Sequence, residues 1–181
     1  MARMSRACAV VLAGIGLTGG MLTASPAVAA ETVKCADGGV NSKEFTLPGK
    51  KPATAVHAGV CTKVAAGKVR ASVGLTWQIL DDQVLDKGKR WDSFTVQVRL
   101  KARPAKNGAD TVVVQKSCDL TAKLNANWTN AVEEDATCEV PAQAMKSGQW
   151  YSADATVIFD VTGDAKGPAK WEMVGSPFTA V

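Results

Sequence analysis

The sequence predicts an all-β domain: an antiparallel two-sheet β-sandwich, immunoglobulin-like or of a related Greek-key type, with about eight or nine strands and two disulfides. Three observations predict it. Apolar and polar residues alternate with a period of two along most of the chain, and helical spacing is scarce. Clusters of Gly and Pro punctuate the alternating runs at PGKKP, KNGAD, KSG and GDAKGP, which is the short spacing of hairpin-linked strands. Four of the five cysteines lie in the alternating part of the chain.

The chain opens with Arg3 and Arg6, then an uncharged apolar run from Ala7 to Leu22, then small residues ending at Ala27-Val28-Ala29-Ala30. That order is the pattern of a secretory signal peptide, with cleavage expected after Ala29 or Ala30. The apolar run is shorter than the roughly 18 to 20 residues a membrane-spanning helix needs. Arg3 and Arg6 are not adjacent, which favours the general secretion route over the twin-arginine one. Cys8 stands near the start of the apolar run, whereas a lipid-bearing cysteine follows it. Residues 1–30 are therefore expected to be removed, leaving 31–181 as a single secreted domain without a membrane span.

Between Glu31 and Lys106 there are 14 basic and 7 acidic residues, and between Asn107 and Val181 there are 5 and 10. The two halves carry opposite charge and are expected to attract one another within one fold.

Weak strands are expected around Phe45 to Leu47 and Val56 to Cys61. From Val69 to Ile79 every second residue is apolar, so Val73, Leu75 and Trp77 face inward. The run from Phe94 to Ala102 is the cleanest strand, with Thr95, Gln97, Arg99, Lys101 and Arg103 toward water. The run from Val112 to Leu124 keeps one parity except at Lys116, which predicts a bulge or a strand break near Lys116 and Ser117. A short strand follows at Ala136 to Val140, and Pro141 to Ser147 is expected to form a turn of helix. In Trp150 to Val161, Tyr151, Ala153, Ala155, Val157 and Phe159 share the inner face and Trp150 the outer one. After GDAKGP, Trp171 and Met173 alternate with Lys170 and Glu172, as expected of a hairpin partner with Trp171 inside.

An even number of cysteines in an exported chain reads as disulfides. The local pairing, Cys35 with Cys61 and Cys118 with Cys138, is the expected one, each bridge stabilising by about 3 kcal/mol in the chain-entropy picture. A zinc site is not expected, because there is no CxxC pair and only one histidine.

No motif in the sequence specifies a reaction. His57 would have to serve any serine or cysteine triad, its neighbours HAGVCTK carry no motif, and no GxSxG elbow occurs. Paired carboxylates for a hydrolase are offered only by Asp81 and Asp82 and by Glu133, Glu134 and Asp135. The last three could hold calcium, but the spaced pattern of a calcium loop is absent. No cofactor is expected.

Aromatic residues outside the inward parity mark a contact surface. Trp91 follows Lys87, Lys89 and Arg90 and has the opposite parity to Phe94, while Asp86 and Asp92 dilute the charge, so nucleic acid is not the expected partner. Trp128 lies in NANWTN without apolar periodicity, and Asn127 begins a glycosylation tripeptide. Arg90, Trp91, Trp128 and Trp150 are the candidate binding residues.

The export signal and small disulfide-bonded domain resemble the short secreted proteins of actinomycetes, and FDVTG at Phe159 to Gly163 is similar to the closing strand of secreted immunoglobulin-like antigens of mycobacteria. The resemblance implies a fold and assigns no functional residue. The expected function is a non-catalytic binding module for a glycan, the cell wall or another extracellular protein. The alternatives are a protease inhibitor presenting the loop Asn125 to Asp135, and a hydrolase built on two carboxylates.

Overall fold

The structure is a computed structural model that describes residues 30–37, 39–80, 88–126 and 134–180. The expected signal peptide, Asp81, Asp82, Trp128 and Glu133 lie outside the described residues.

The strands are β1 (Thr32–Cys35), β2 (Ser42–Phe45), β3 (Thr54–Ala65), β4 (Lys68–Ile79), β5 (Trp91–Arg103), β6 (Thr111–Asp119), β7 (Glu134–Glu139), β8 (Gln143–Ala144), β9 (Trp150–Val161), β10 (Ala169–Glu172) and β11 (Thr179–Ala180), with helix α1 at Thr121–Ala126. They form two antiparallel sheets of a β-sandwich. The first runs β1-β3-β4-β7, with β2 also on β3 and β8 on β4; the second runs β10-β9-β5-β6, with β11 also on β9. The short strands β1, β8 and β11 take the count above the expected eight or nine.

The period of two explains the layers. Val73, Leu75 and Trp77 of β4 face Val96, Val98 and Leu100 of β5 and Ala153, Ala155 and Val157 of β9, all at most 2% exposed. β3 and β4 form one long hairpin whose pairing runs from Thr54 opposite Ile79 to Ala65 opposite Lys68. Its two-residue turn is Ala66-Gly67, both with positive φ (48° and 71°), the geometry that matches the right-handed strand twist.

At one end of the core Phe45 is the hub of an edge-to-face cluster, with ring centroids 4.8 Å from Trp91 and 4.9 Å from Phe159. This corrects the expectation of an exposed Arg90-Trp91 pair: Trp91 is 0% exposed and Arg90 1%. The cause is a bulge. Trp91 pairs with Val161 and Ser93 with Asp160, so β5 advances two residues against one on β9. The extra residue reverses the parity and turns the indole onto the Phe94 face. Asn125 locks this end: its Oδ1 accepts from the N–H groups of Arg90 (2.9 Å) and Trp91 (3.0 Å), and its Nδ2 donates to the Trp91 carbonyl (2.9 Å).

Four further expectations are corrected. The run to Leu124 is not all strand: β6 ends at Asp119 and α1 follows, burying Leu120 and Leu124 one helical turn apart. Asp119 starts it by accepting from the Thr121 N–H (2.9 Å) and hydroxyl (2.5 Å), as an N-terminal capping side chain does. The bulge in β6 is at Val113, between Val112 opposite Lys101 and Val114 opposite Leu100, rather than near Lys116. Conversely, Pro141 to Ser147 contains β8 and a turn instead of helix. There the Tyr151 hydroxyl accepts a hydrogen bond from the Lys146 N–H at 2.9 Å. Trp171 is half-buried against the core rather than fully inside.

Both expected disulfides form, Cys35 with Cys61 and Cys118 with Cys138. The first joins directly opposite residues of β1 and β3, and the second joins the edge strands β6 and β7 of the two sheets. The opposite charges of the two halves meet as ion pairs, among them Lys63 and Arg70 with Glu139, Arg99 and Lys101 with Asp154, and Arg103 with Asp110.

Candidate binding surface

The outward face of the second sheet carries a connected set of polar side chains. Register across β5 and β9 sets Arg99 opposite Asp154, Lys101 opposite Ser152, and Arg103 opposite Trp150. Every second residue of each strand points this way, so these residues form adjacent rows.

Arg99 is the centre of one group. It donates to Gln97 Oε1 (3.0 Å), Thr156 Oγ1 (2.7 Å) and Asp154 Oδ2 (3.3 Å), and Glu172 approaches to 3.7 Å. Thr156 in turn donates to Glu172 at 2.5 Å, and Lys101 adds a second cation on Asp154. Arg103 is the centre of the other. Its Nε donates to Asp110 at 2.7 Å, its Nη1 to the Lys106 carbonyl at 2.8 Å, and its guanidinium carbon lies 3.3 Å from the centre of the Phe178 ring. One carboxylate, one carbonyl and one ring thus hold a planar cation still, which is how arginine makes an ordered surface rather than a waving one.

Between the two groups is an open hollow of about 270 Å3 lined by Lys101, Asp110, Ser152, Asp154, Ser176 and Phe178. Ser176 forms its floor: its hydroxyl accepts from the Ala153 N–H (2.8 Å) and meets Thr62 Oγ1 at 2.6 Å. Gly175 lets the chain pass this close, because a Cβ there would stand 2.6 Å from the Ala153 carbonyl oxygen. Trp150 is half-buried on the same face, in the row between Arg103 and Ala180 of β11.

Of the four sequence-derived candidates, this face therefore holds Trp150; Arg90 and Trp91 belong to the interior, and Trp128 lies outside the described residues. The residues around it, Arg99, Lys101, Arg103, Asp154 and Phe178, carried an outward-parity signal at most. What brings them together is strand register, which alternation alone does not give.

His57 occupies the outer face of the first sheet. It is exposed, and Ser42 Oγ lies 2.8 Å from its Nδ1. Register continues the row to Thr76 and then Asp135, so Thr76 separates the imidazole from the carboxylate that would orient a catalytic base. An open trough of about 250 Å3 over Gly59 and Gly74 runs beside it. Among the described residues, no group of three or more His, Cys, Asp or Glu could hold a metal ion. Glu134 and Asp135 lie on β7, and Asp135 is exposed.

Two disulfides in one small domain indicate an oxidising compartment, and no described helix is long and apolar enough to cross a membrane. Comparison with protein-family models and with curated proteins finds no match for this chain.

Proposed function

We propose that this chain is a secreted, non-catalytic binding module that holds an uncharged glycan on the outward face of β5 and β9. The observation that carries this reading is the pairing of charge on that face: Asp154 answers Arg99 and Lys101, and Asp110 answers Arg103. Such a surface offers many fixed donors and acceptors with little net field. Sugar hydroxyls, each donor and acceptor at once, suit it better than a polyanion, which needs unpaired cations. Phe178 and Trp150 supply apolar surface for the C–H face of a sugar ring. An open hollow in place of a deep pocket agrees with holding a chain rather than reacting with it.

Secretion is supported by the signal-like residues 1–30 and by the two disulfides. Within β-sandwiches, an immunoglobulin-like type is supported by the strand order β3-β4-β7 against β10-β9-β5-β6 and by Tyr151 at the start of β9, whose hydroxyl turns back to the backbone at Lys146, as in the tyrosine corner of those folds.

The test is retention on insoluble neutral and anionic cell-wall polysaccharides. The expected outcome is retention on the neutral material that falls about tenfold in Trp150→Ala and Phe178→Ala, the loss of one good aromatic contact. Retention on anionic material alone, or equal retention of both variants, contradicts the reading.

A further inference from the structure

The two disulfides each have one half-buried end, Cys61 and Cys118, and differ at the other. Cys138 is 0% exposed and its sulfur sits 3.8 Å from the Val96 carbonyl, between the sheets. Cys35 is exposed and Cys61 half-buried on the outer face of the first sheet. The strands they hold differ as well. All four residues of β1 are exposed and none belongs to the core. Apart from the disulfide, β1 is attached by its ladder to β3, by the Ala36 N–H to the Val60 carbonyl (2.9 Å), and near its start by Glu31 to Arg70 (2.5 Å). Cys118–Cys138 instead ties the edges of both sheets across a buried sulfur.

Exchange requires a thiolate to reach a disulfide sulfur, so access decides which bond reacts. We propose that Cys35–Cys61 is a thiol-exchange site, open to small thiols and to exposed cysteines of other exported proteins, and that Cys118–Cys138 is inert. The incoming thiolate bonds to Cys35 Sγ, the Cys35–Cys61 bond breaks, and Cys61 leaves as a thiolate that takes up a proton. The product is a mixed disulfide with no net change in oxidation. A second thiol completes the reduction by attacking the sulfur of the first, leaving both cysteines as thiols and the two reagent molecules as their own disulfide. Because β1 contributes nothing to the core, opening this bond frees β1 and uncovers the β3 edge from Cys61 to Val64 while the sandwich stays folded. The module thereby gains a covalent anchoring point on the face opposite its proposed glycan surface.

Native protein is incubated with graded glutathione, quenched with an alkylating agent and mapped by mass spectrometry, with circular dichroism in parallel. The expected result is a glutathione adduct on Cys35 and alkylation of Cys35 and Cys61 at least about tenfold faster than of Cys118 and Cys138, with the strand spectrum unchanged. Equal rates at the two bonds, earlier opening of Cys118–Cys138, or loss of the strand spectrum together with Cys35–Cys61 overturns the proposal. The variant Cys35→Ser/Cys61→Ser separates access from stability: it is expected to fold with a native spectrum, and a failure to fold also overturns the proposal.

Discussion

The guanidinium of Arg103 is stacked on the ring of Phe178, 3.3 Å from its centre, and pinned by Asp110 at 2.7 Å. The stack joins the segment before β11 to β5, and its Phe178 lines the hollow on the second sheet. Cation–ring contacts at partly exposed sites are worth about 0.5 to 1 kcal/mol. Arg103→Ala is therefore expected to lower stability by roughly 1 kcal/mol while weakening glycan retention more than that loss explains. Urea unfolding and a polysaccharide retention assay measure the two effects. A change in stability with unaltered retention would remove Arg103 from the surface.

Trp91 and Trp150 provide a contrast. Trp91 is the edge-to-face partner of Phe45 and Phe94 with no exposure, so Trp91→Ala is expected to cost about 3 to 5 kcal/mol. Trp150→Ala, at a half-buried position, is expected to cost much less and to act on binding. Denaturant midpoints of the two variants check this order, and a reversed order contradicts it.

Asp119 sets an acid limit on stability. Hydrogen bonds from the Thr121 hydroxyl and then its N–H hold the carboxyl below the ordinary carboxylate range. Asp92 shifts the same way, chiefly through its bond from Lys89. A carboxyl with a lowered folded pKa stabilises the fold above its unfolded value near 3.9, and that contribution is lost as pH falls through the folded value. Stability is thus expected to decline below about pH 4, with a shallower decline in Asp119→Asn. Urea midpoints collected between about pH 2 and pH 6 test this, and superimposable profiles would count against it.

The hairpin turn holds Ala66 at φ 48°, a left-handed conformation that costs an alanine roughly 1 to 2 kcal/mol. Ala66→Asn, which gives the Asn-Gly turn that favours this geometry, is expected to raise stability by about 1 kcal/mol. A thermal midpoint that stays the same or falls would show that the turn is otherwise constrained.

Alternation was enough to read the layers, because the inward rows of β4, β5 and β9 repeat without interruption from Val69 to Ile79, Phe94 to Ala102 and Tyr151 to Val157. It failed where a single residue breaks the count. Asp92 is the inserted residue at the Trp91 bulge, and parity counted through it sends the indole to solvent instead of into the Phe45 cluster. The helix after Asp119 was legible in principle, since Leu120 and Leu124 are one turn apart behind a capping aspartate, yet both also fit strand parity. The surface on the second sheet was the least accessible. Arg103, Ser152 and Phe178 are remote in sequence, and only the β5–β9–β11 register makes them neighbours.

Amide chemical-shift mapping with a soluble, uncharged cell-wall oligosaccharide is the most direct measurement of the proposed glycan surface. The predicted result is a cluster of shifts at Arg99 to Arg103, Trp150 to Thr156 and Ser176 to Ala180, persisting at high salt because the ligand carries no charge. Shifts confined to the Gly59 and Gly74 trough beside His57, or no shifts in the folded protein at millimolar ligand, would contradict it.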